Sequence, residues 1–456
     1  MEQQITMQPV EVVRSLLKSN SKIELTHFIE SLAARELVFL MGKLEKKDQQ
    51  SLLKLINPEE AADLIEELPD IQAAEIIEDM DASEAANIIN RMQSDERADL
   101  FMELDKKDAE AILIEMNPVK AASTRKMIEY DPETAGGLMV TEYFSYHASA
   151  TGQEVINDLK TNAEKYKEFI IRYIYIVSKK GLFIGVLQMQ DLLLGDPRLQ
   201  LSEIVIKDVL VVNVNDSLDK LKDLIDTYDY YGFPVVDENN LLIGVLRRKD
   251  VLEAINERSA IEHLESQGIV GGDEFRTMPV LLRSRRRLSW LSVNILLNLM
   301  AASVIAFYQE TLSTVIALAV FLPIVSDMSG CTGNQAVAVS MRELSLGIVR
   351  PTEVMRVWWQ ELKVGLINGL VLGILIGAAA FFWKANIYFA LVVGSALAIN
   401  TIIAVSIGGT IPLILKKMKI DPALASGPIL TTITDMIGFF LTLSFATIAL
   451  SKISGL

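Results

Sequence analysis

Apolar positions along the chain change period three times, and each change marks a different kind of structure. From Asn57 to Met116 the period is 12: Asn57–Leu68 (NPEEAADLIEEL), Pro69–Met80 (PDIQAAEIIEDM), Asp81–Met92, Gln93–Leu104 and Asp105–Met116 repeat one pattern. Position 8 of each unit is apolar (Leu64, Ile76, Ile88, Leu100, Ile112), and so is position 12 (Leu68, Met80, Met92, Leu104, Met116). A spacing of four marks one face of a helix, and the Asn, Asp or Pro that opens most units is a helix-start signal. Units of two helical turns cannot bury a core alone, so they predict a stacked superhelical array behind an amphipathic opening from Val10 to Leu55. Scaffolding, protein contact and ion sensing are all roles open to such an array.

A Pro and a Gly pair in Tyr130–Met139 (YDPETAGGLM) end the array. The pattern then turns to short strands, and a second repeat appears at an offset of 59 residues: Ile174–Leu193 aligns with Phe233–Leu252. Each copy reads strand, polar turn, a second strand containing IGVL, and a helix start at Asp191 or Asp250. This arrangement resembles a tandem CBS-domain pair, a regulatory module whose cleft often holds an adenine nucleotide. The resemblance implies Asp191 as the ribose-binding residue. The Ser or Thr usual three residues earlier is Gln188 in one copy and Arg247 in the other, so the nucleotide signature is incomplete. Val251 to Val280 then reads as a helical connector.

The third pattern is long apolar runs. Five spans fit, at about 288–309, 312–340, 362–383, 387–415 and 423–451, each long enough for a bilayer. Arg283, Arg285, Arg286 and Arg287 mark a cytoplasmic edge, and an odd number of spans sends the C-terminus outside. Eleven basic residues fall on the cytoplasmic flanks against Lys384 and Lys452 on the other side, which agrees with that orientation.

Charge divides the chain in the same place. Residues 1–283 hold 52 acidic and 31 basic side chains, whereas residues 284–456 hold 7 and 12. An acidic soluble half argues against nucleic acid, because phosphate binding needs a basic surface. The single cysteine, Cys331, excludes an internal disulfide framework, and three scattered histidines make a zinc site a poor fit. MEQQITMQPV lacks a charged-then-apolar signal pattern, so the soluble half is expected in the cytoplasm. No phosphate loop or nucleophile–base pair points to an enzyme.

Candidate chemistry concentrates in the last span. Asp435 sits near its middle, and an ionisable group at that depth is expected to face a bundle interior or a water-filled path. Thr431 and Thr432 lie one turn earlier, and Gly427 and Pro428 loosen the backbone before them, freeing carbonyls that can line a cavity. All are hard oxygen donors of the kind magnesium and calcium prefer. In the second span, Leu322–Gln335 (LPIVSDMSGCTGNQ) brings Asp327 and Asn334 to membrane depth, seven residues apart on one face. Tight helix packing through small residues, Cys331 included, is the competing reading there.

Three motifs carry a whole-chain resemblance: DPETAGGLM (131–139), the P-x-x-x-x-M-x-G-x-x-G-N-Q run (323–335) and DPALASGPILTTITD (421–435). Together with five spans in the right place, the chain resembles the MgtE family of magnesium transporters and channels. The resemblance implies a helical superhelix (1–130), a tandem CBS pair (131–254), a plug helix (255–283) and a five-helix transmembrane pore domain (284–456). It implies a homodimer in the plasma membrane with the pore on its two-fold axis, where two Asp435 carboxylates balance a divalent charge. It also implies feedback closure by cytosolic magnesium, with Asp95, Asp99, Asp229, Asp250 and Glu253 at the matching positions. Two departures stand out. Arg258 and Ile261, with His263 just beyond, replace plug acids, and Asp327 and Cys331 replace small residues in the second span. Transport of another divalent ion such as cobalt or manganese, and a membrane sensor without transport, are the competing functions.

Overall fold

The structure, a computed structural model, describes residues 9–163, 166, 172–271, 274–276, 278–420 and 422–454. Most of the N-terminal decapeptide and Asp421, the first residue of the last motif, lie outside them. The chain forms two compact units, Met1–Glu257 and Arg258–Leu456.

The first unit opens with ten helices: α1 (Pro9–Ser19), α2 (Lys22–Glu30), α3 (Ala34–Met41), α4 (Lys46–Leu55), α5 (Pro58–Glu66), α6 (Asp70–Glu78), α7 (Ala82–Ile89), α8 (Ser94–Glu103), α9 (Lys106–Glu115) and α10 (Pro118–Met127). The 12-residue period is thus one short helix plus its turn. Every position 8 is buried, from Leu64 to Ile112. Position 12 differs from expectation. Leu68, Met80 and Met92 lie past the ends of their helices, and Leu104 and Met116 are C-caps, so these side chains fill turns instead of sharing a face with position 8. Position 9 completes the face (Ile65, Ile77, Ile89, Phe101, Leu113), because the helix stops before it reaches position 12.

Helices two apart pack together, α5 on α7, α6 on α8 and α7 on α9. A recurring hydrogen bond locks units three apart. Position 10 accepts from the backbone N–H at the start of a helix 27 residues on: Glu66 from Gln93 (2.8 Å), Glu78 from Asp105 (2.7 Å) and Asn90 from Asn117 (3.1 Å). These bonds satisfy donors that a helix start leaves without an intrahelical partner. At position 5, where three other units carry a buried alanine, α8 carries Arg97. Its guanidinium is fully buried and donates to Thr124 Oγ1 (2.8 Å) and Met92 O (2.9 Å).

The strand repeat folds as two matching sheets. After α11 (Ala135–Leu138), β1 (Ser145–His147) pairs parallel with β2 (Tyr173–Val177), which pairs antiparallel with β3 (Phe183–Gln188). Helices α12 (Gly152–Thr161), α13 (Met189–Leu194) and α14 (Leu201–Ile204) belong to this copy. In the second copy β4 (Val212–Asn213), β5 (Gly232–Val236) and β6 (Leu242–Arg247) repeat the order, with α15 (Leu218–Thr227) before β5. Even the register irregularity recurs, at Ile176/Val177 and Val235/Val236. The IGVL glycine has a steric reason: a Cβ at Gly185 would lie 2.2 Å from the Ile206 carbonyl oxygen, and one at Gly244 2.4 Å from Met139 Sδ.

The helix after β6, α16 (Arg248–Ser266), contains both Asp250 and Arg258. The expected connector is helical only this far. Gly268, at φ +83°, turns the chain with Trp290 packed against it, and helix resumes at α17 (Val280–Phe307). There follow α18 (Gln309–Thr314), α19 (Leu318–Ser345), α20 (Val354–Lys384), α21 (Ile387–Lys417), α22 (Pro422–Ile448) and α23 (Leu450–Ser454). Among the described residues four helices are long and apolar enough to cross a membrane: Val280–Phe307, Val354–Lys384, Ile387–Lys417 and Gly427–Ile448. The fifth long helix, α19, has 28 residues and carries the polar run noted in the sequence. It starts at Leu318 instead of 312, because residues 309–314 form the separate α18.

Helix α21 is the centre of this unit, packing on α19, α20 and α22. Its contact with α20 is a stripe of glycines four apart, Gly365, Gly369, Gly373 and Gly377, against Ile402, Ala398, Gly394 and Ala390. Small residues let two membrane helices approach backbone to backbone. A Cβ on Gly373 would stand 2.6 Å from the Gly394 carbonyl oxygen.

Candidate functional site

Two groups of residues carry the candidate chemistry, one in each unit. In the helical unit, α22 places Asp435 half-buried against α19, where the Ser326 hydroxyl donates to its Oδ1. Asn400 on α21 donates to the Thr434 carbonyl oxygen at 3.0 Å, tying α22 to the central helix one residue before the acid. The Asn400 Oδ1 is buried without a hydrogen-bond partner. Thr431 and Thr432 donate to the carbonyl oxygens of Gly427 (3.0 Å) and Pro428 (2.8 Å). The loosened carbonyls are therefore occupied by those hydroxyls and are not left free.

A cavity of about 1020 Å³ is lined by Gly427, Pro428, Thr431, Thr432 and Asn334, with Asn294, Asn298, His263, Arg287 and Arg342 among its other walls. The structure thus brings Asn334 together with both threonines. Asp435 and Asp327 are not in that lining; Asp327 is exposed on α19, next to the serine that holds Asp435. Ser326 is the residue that sequence reasoning missed. Its signal was available, since it directly precedes Asp327 in the polar run.

In the first unit, the start of α8 meets the strand repeat. Ser94 Oγ donates to Glu142 Oε2 (2.6 Å) and accepts from the Thr141 N–H (2.8 Å). Arg247, the last residue of β6, reaches Asp95 Oδ2 with Nη2 (2.8 Å) and Asp250 Oδ2 with Nε (2.6 Å), and donates from Nη1 to Gln93. Asp95, Asp250 and the arginine are all buried or nearly so. Asp95 and Asp250 are therefore brought together, and Asp99 lies one turn on along α8. Asp229 and Glu253 are exposed and stand beside Arg248 (3.5 Å) and Lys249 (4.0 Å). Arg258 stands 4.0 Å from Glu262 on its own helix.

Burial sets the electrostatics of α8. Desolvation pushes Asp95 up to about 6 in spite of Arg247, Asp99 to about 8, Glu96 to about 9 and neighbouring Glu66 to about 7. Removing a carboxylate from water disfavours its charged form, and neighbouring acids add to the effect. The cluster therefore holds protons more tightly than exposed carboxylates do.

A second cavity, about 980 Å³, lies beside the arginine bridge and is lined by Arg172, Arg247 and Lys249 together with Tyr143, Tyr173, Tyr175 and Tyr231. Arg172 stacks over the Tyr231 ring at 3.7 Å. Asp191 is exposed in the first turn of α13 and is not part of this lining. Elsewhere Glu78, Asp105 and Asp108 bring carboxylate oxygens within 4.8 Å of one another, although Glu78 already caps α9.

Comparison with known proteins agrees with this division. Residues 322–445 match the family model of a divalent cation transporter, MgtE; residues 32–133 match its intracellular N domain, and residues 201–257 match the CBS domain. The magnesium transporter MgtE of Bacillus subtilis is 31% identical over 335 residues, 74% of each chain. That of Thermus thermophilus is 31% identical over 341 residues, 74% of this chain and 75% of the relative. Among solved structures, the soluble part of a magnesium transporter superposes with a TM-score of 0.50 at 26% identity, covering 55% of this chain and 98% of the other. These matches fall on the array of 12-residue units, the second of the two matching three-stranded sheets and the bundle of long apolar helices, and the chain belongs to the MgtE family of divalent cation transporters.

Proposed function

We propose that this protein carries magnesium across the plasma membrane through a pore built on a homodimer axis, with Asp435 as the ion-binding acid. The observation that carries the reading is a mid-span carboxylate oriented by a serine hydroxyl, on the same helix as two threonines that line a cavity of about 1020 Å³. An acid within a membrane helix marks an ion path, and two symmetry-related copies balance a divalent charge. Asn334, Thr431 and Thr432 offer oxygen donors to a hydrated ion, because magnesium keeps much of its water shell. Asp327 adds negative charge near the path. The N-terminus lies in the cytoplasm and the C-terminus outside.

Cytosolic magnesium closes the pore by loading the acids of the first unit. Asp95, through the Oδ1 that Arg247 leaves unbonded, Asp99 and Asp250 supply the inner ligands; Asp229 and Glu253 supply the outer ones. For an adenine nucleotide in the CBS pair, the second cavity offers tyrosines for the base and basic side chains for the phosphates, while Asp191 lies outside its lining and has no part in that site.

The test is rescue of a magnesium-uptake-deficient cell at low magnesium, comparing wild type with Asp435→Ala at matched membrane expression. Wild type is expected to rescue and the variant to fail while still running as a folded dimer. Rescue by the variant overturns the assignment of Asp435; rescue of manganese or cobalt uptake in place of magnesium overturns the ion.

A further inference from the structure

Two acids expected to share a metal ion, Asp95 on α8 and Asp250 on α16, are bridged in this structure by a side chain of the protein itself. Arg247 approaches both Oδ2 atoms at hydrogen-bonding distance, Asp95 at 2.8 Å and Asp250 at 2.6 Å, and a third N–H goes to Gln93. The three acceptors come from two parts of the chain about 150 residues apart, the superhelical array and the second CBS copy. The guanidinium is only 16% exposed, and each acid 8%. We propose that Arg247 is a positioning residue that takes the place of a divalent cation between Asp95 and Asp250, so that the array stays docked on the CBS pair without magnesium.

Three arguments support this. An arginine fork delivers one fixed positive charge and several directed donors, the geometry two facing carboxylates need, and it does not dissociate. The other contacts at the start of α8 are likewise direct side-chain and backbone bonds: Ser94 bonds Glu142 and the Thr141 backbone. The arginine stands where the CBS resemblance puts a Ser or Thr, a side chain too short to reach Asp95, so the bridge belongs to this chain's own sequence. The inference refines the closure reading above: magnesium can still tune the remaining acids of α8, but it does not hold α8 on β6.

The experiment is hydrogen–deuterium exchange on the full-length protein in detergent and nucleotide-free buffer, reading amides 98–103 of α8 in saturating magnesium and in EDTA. For wild type the rise in EDTA is expected to stay small beside that of the variant, about threefold or less. For Arg247→Thr, two buried acids face each other without the guanidinium between them, so exchange in EDTA is expected to rise about tenfold or more and to return to the wild-type rate when magnesium enters the vacated space. That rescue separates positioning from a plain structural loss, which magnesium would leave unmoved. The proposal is overturned if wild type loses protection in EDTA as far as the variant does, or if the variant does not respond to magnesium. Amides of α15 report the fold; if they too exchange fast in the variant, the wild-type EDTA comparison decides alone. Uptake enters neither arm, so failure here leaves the pore reading standing, and failure of the pore reading leaves this one.

Discussion

At the scale of single residues, two polar side chains inside the chain are each answered by another residue. Arg97 fills an alanine's position in the repeat and is tolerated because Thr124 and the Met92 carbonyl accept its protons. Asp435 is met in the same way by Ser326. A hydrogen bond to a charged group is worth about 1.5–3 kcal/mol, and in the proposed function this one orients the ion-binding acid. Ser326→Ala is therefore expected to lower magnesium uptake roughly tenfold without abolishing it, while Asp435→Ala abolishes it. Uptake of the serine variant equal to wild type at matched expression would remove Ser326 from the ion path.

At the scale of elements, two contacts decide stability. The first is the glycine stripe of α20 on α21. Gly373→Leu forces a side chain into backbone at 2.6 Å and is expected to cost about 3 kcal/mol or more. The measurement is the melting temperature of the purified protein in detergent; a variant that melts with wild type would show the helices can part there at no cost. The second is α8, whose acids Asp99 (about 8) and Glu96 (about 9) carry raised pKa values, as does Glu66 (about 7) at the end of α5. Unfolded carboxylates titrate near 4, so between about pH 4 and pH 9 the folded form holds more protons. Stability must then fall as pH rises through that window. In EDTA the first unit is expected to melt lower at pH 9 than at pH 6, and added magnesium to recover more at pH 9, where the acids are ionised and available. Equal magnesium stabilisation at both pH values would mean these acids bind no cation.

At the scale of the whole molecule, the proposed function assigns regulation to the acidic unit and permeation to the apolar one. Deleting residues 1–130 is expected to leave a protein that still takes up magnesium but no longer closes at high cytosolic magnesium. Flux measured against internal magnesium checks this, and a stable truncation silent at every concentration counts against it. The fold class was legible in the sequence because each part is written in a local period. Twelve residues spell one helix and its turn, a 59-residue offset spells two copies of one sheet, and runs of apolar residues spell membrane helices. Position 435 was legible as chemistry for a local reason too, since a charge amid apolar neighbours has few uses. What the tertiary structure alone decided is every pairing between distant residues. Position 12 reads as part of a helix face until the helix is seen to stop short of it. The glycines of α20 are periodic in the sequence, yet only packing names α21 as their partner. Arg247 reads as a defect in a nucleotide motif, and its meeting with Asp95 depends on how the array folds back on the second CBS copy. Local spacing determines backbone conformation over a few turns, whereas a bond spanning about 150 residues exists only once the chain has brought both ends to one place.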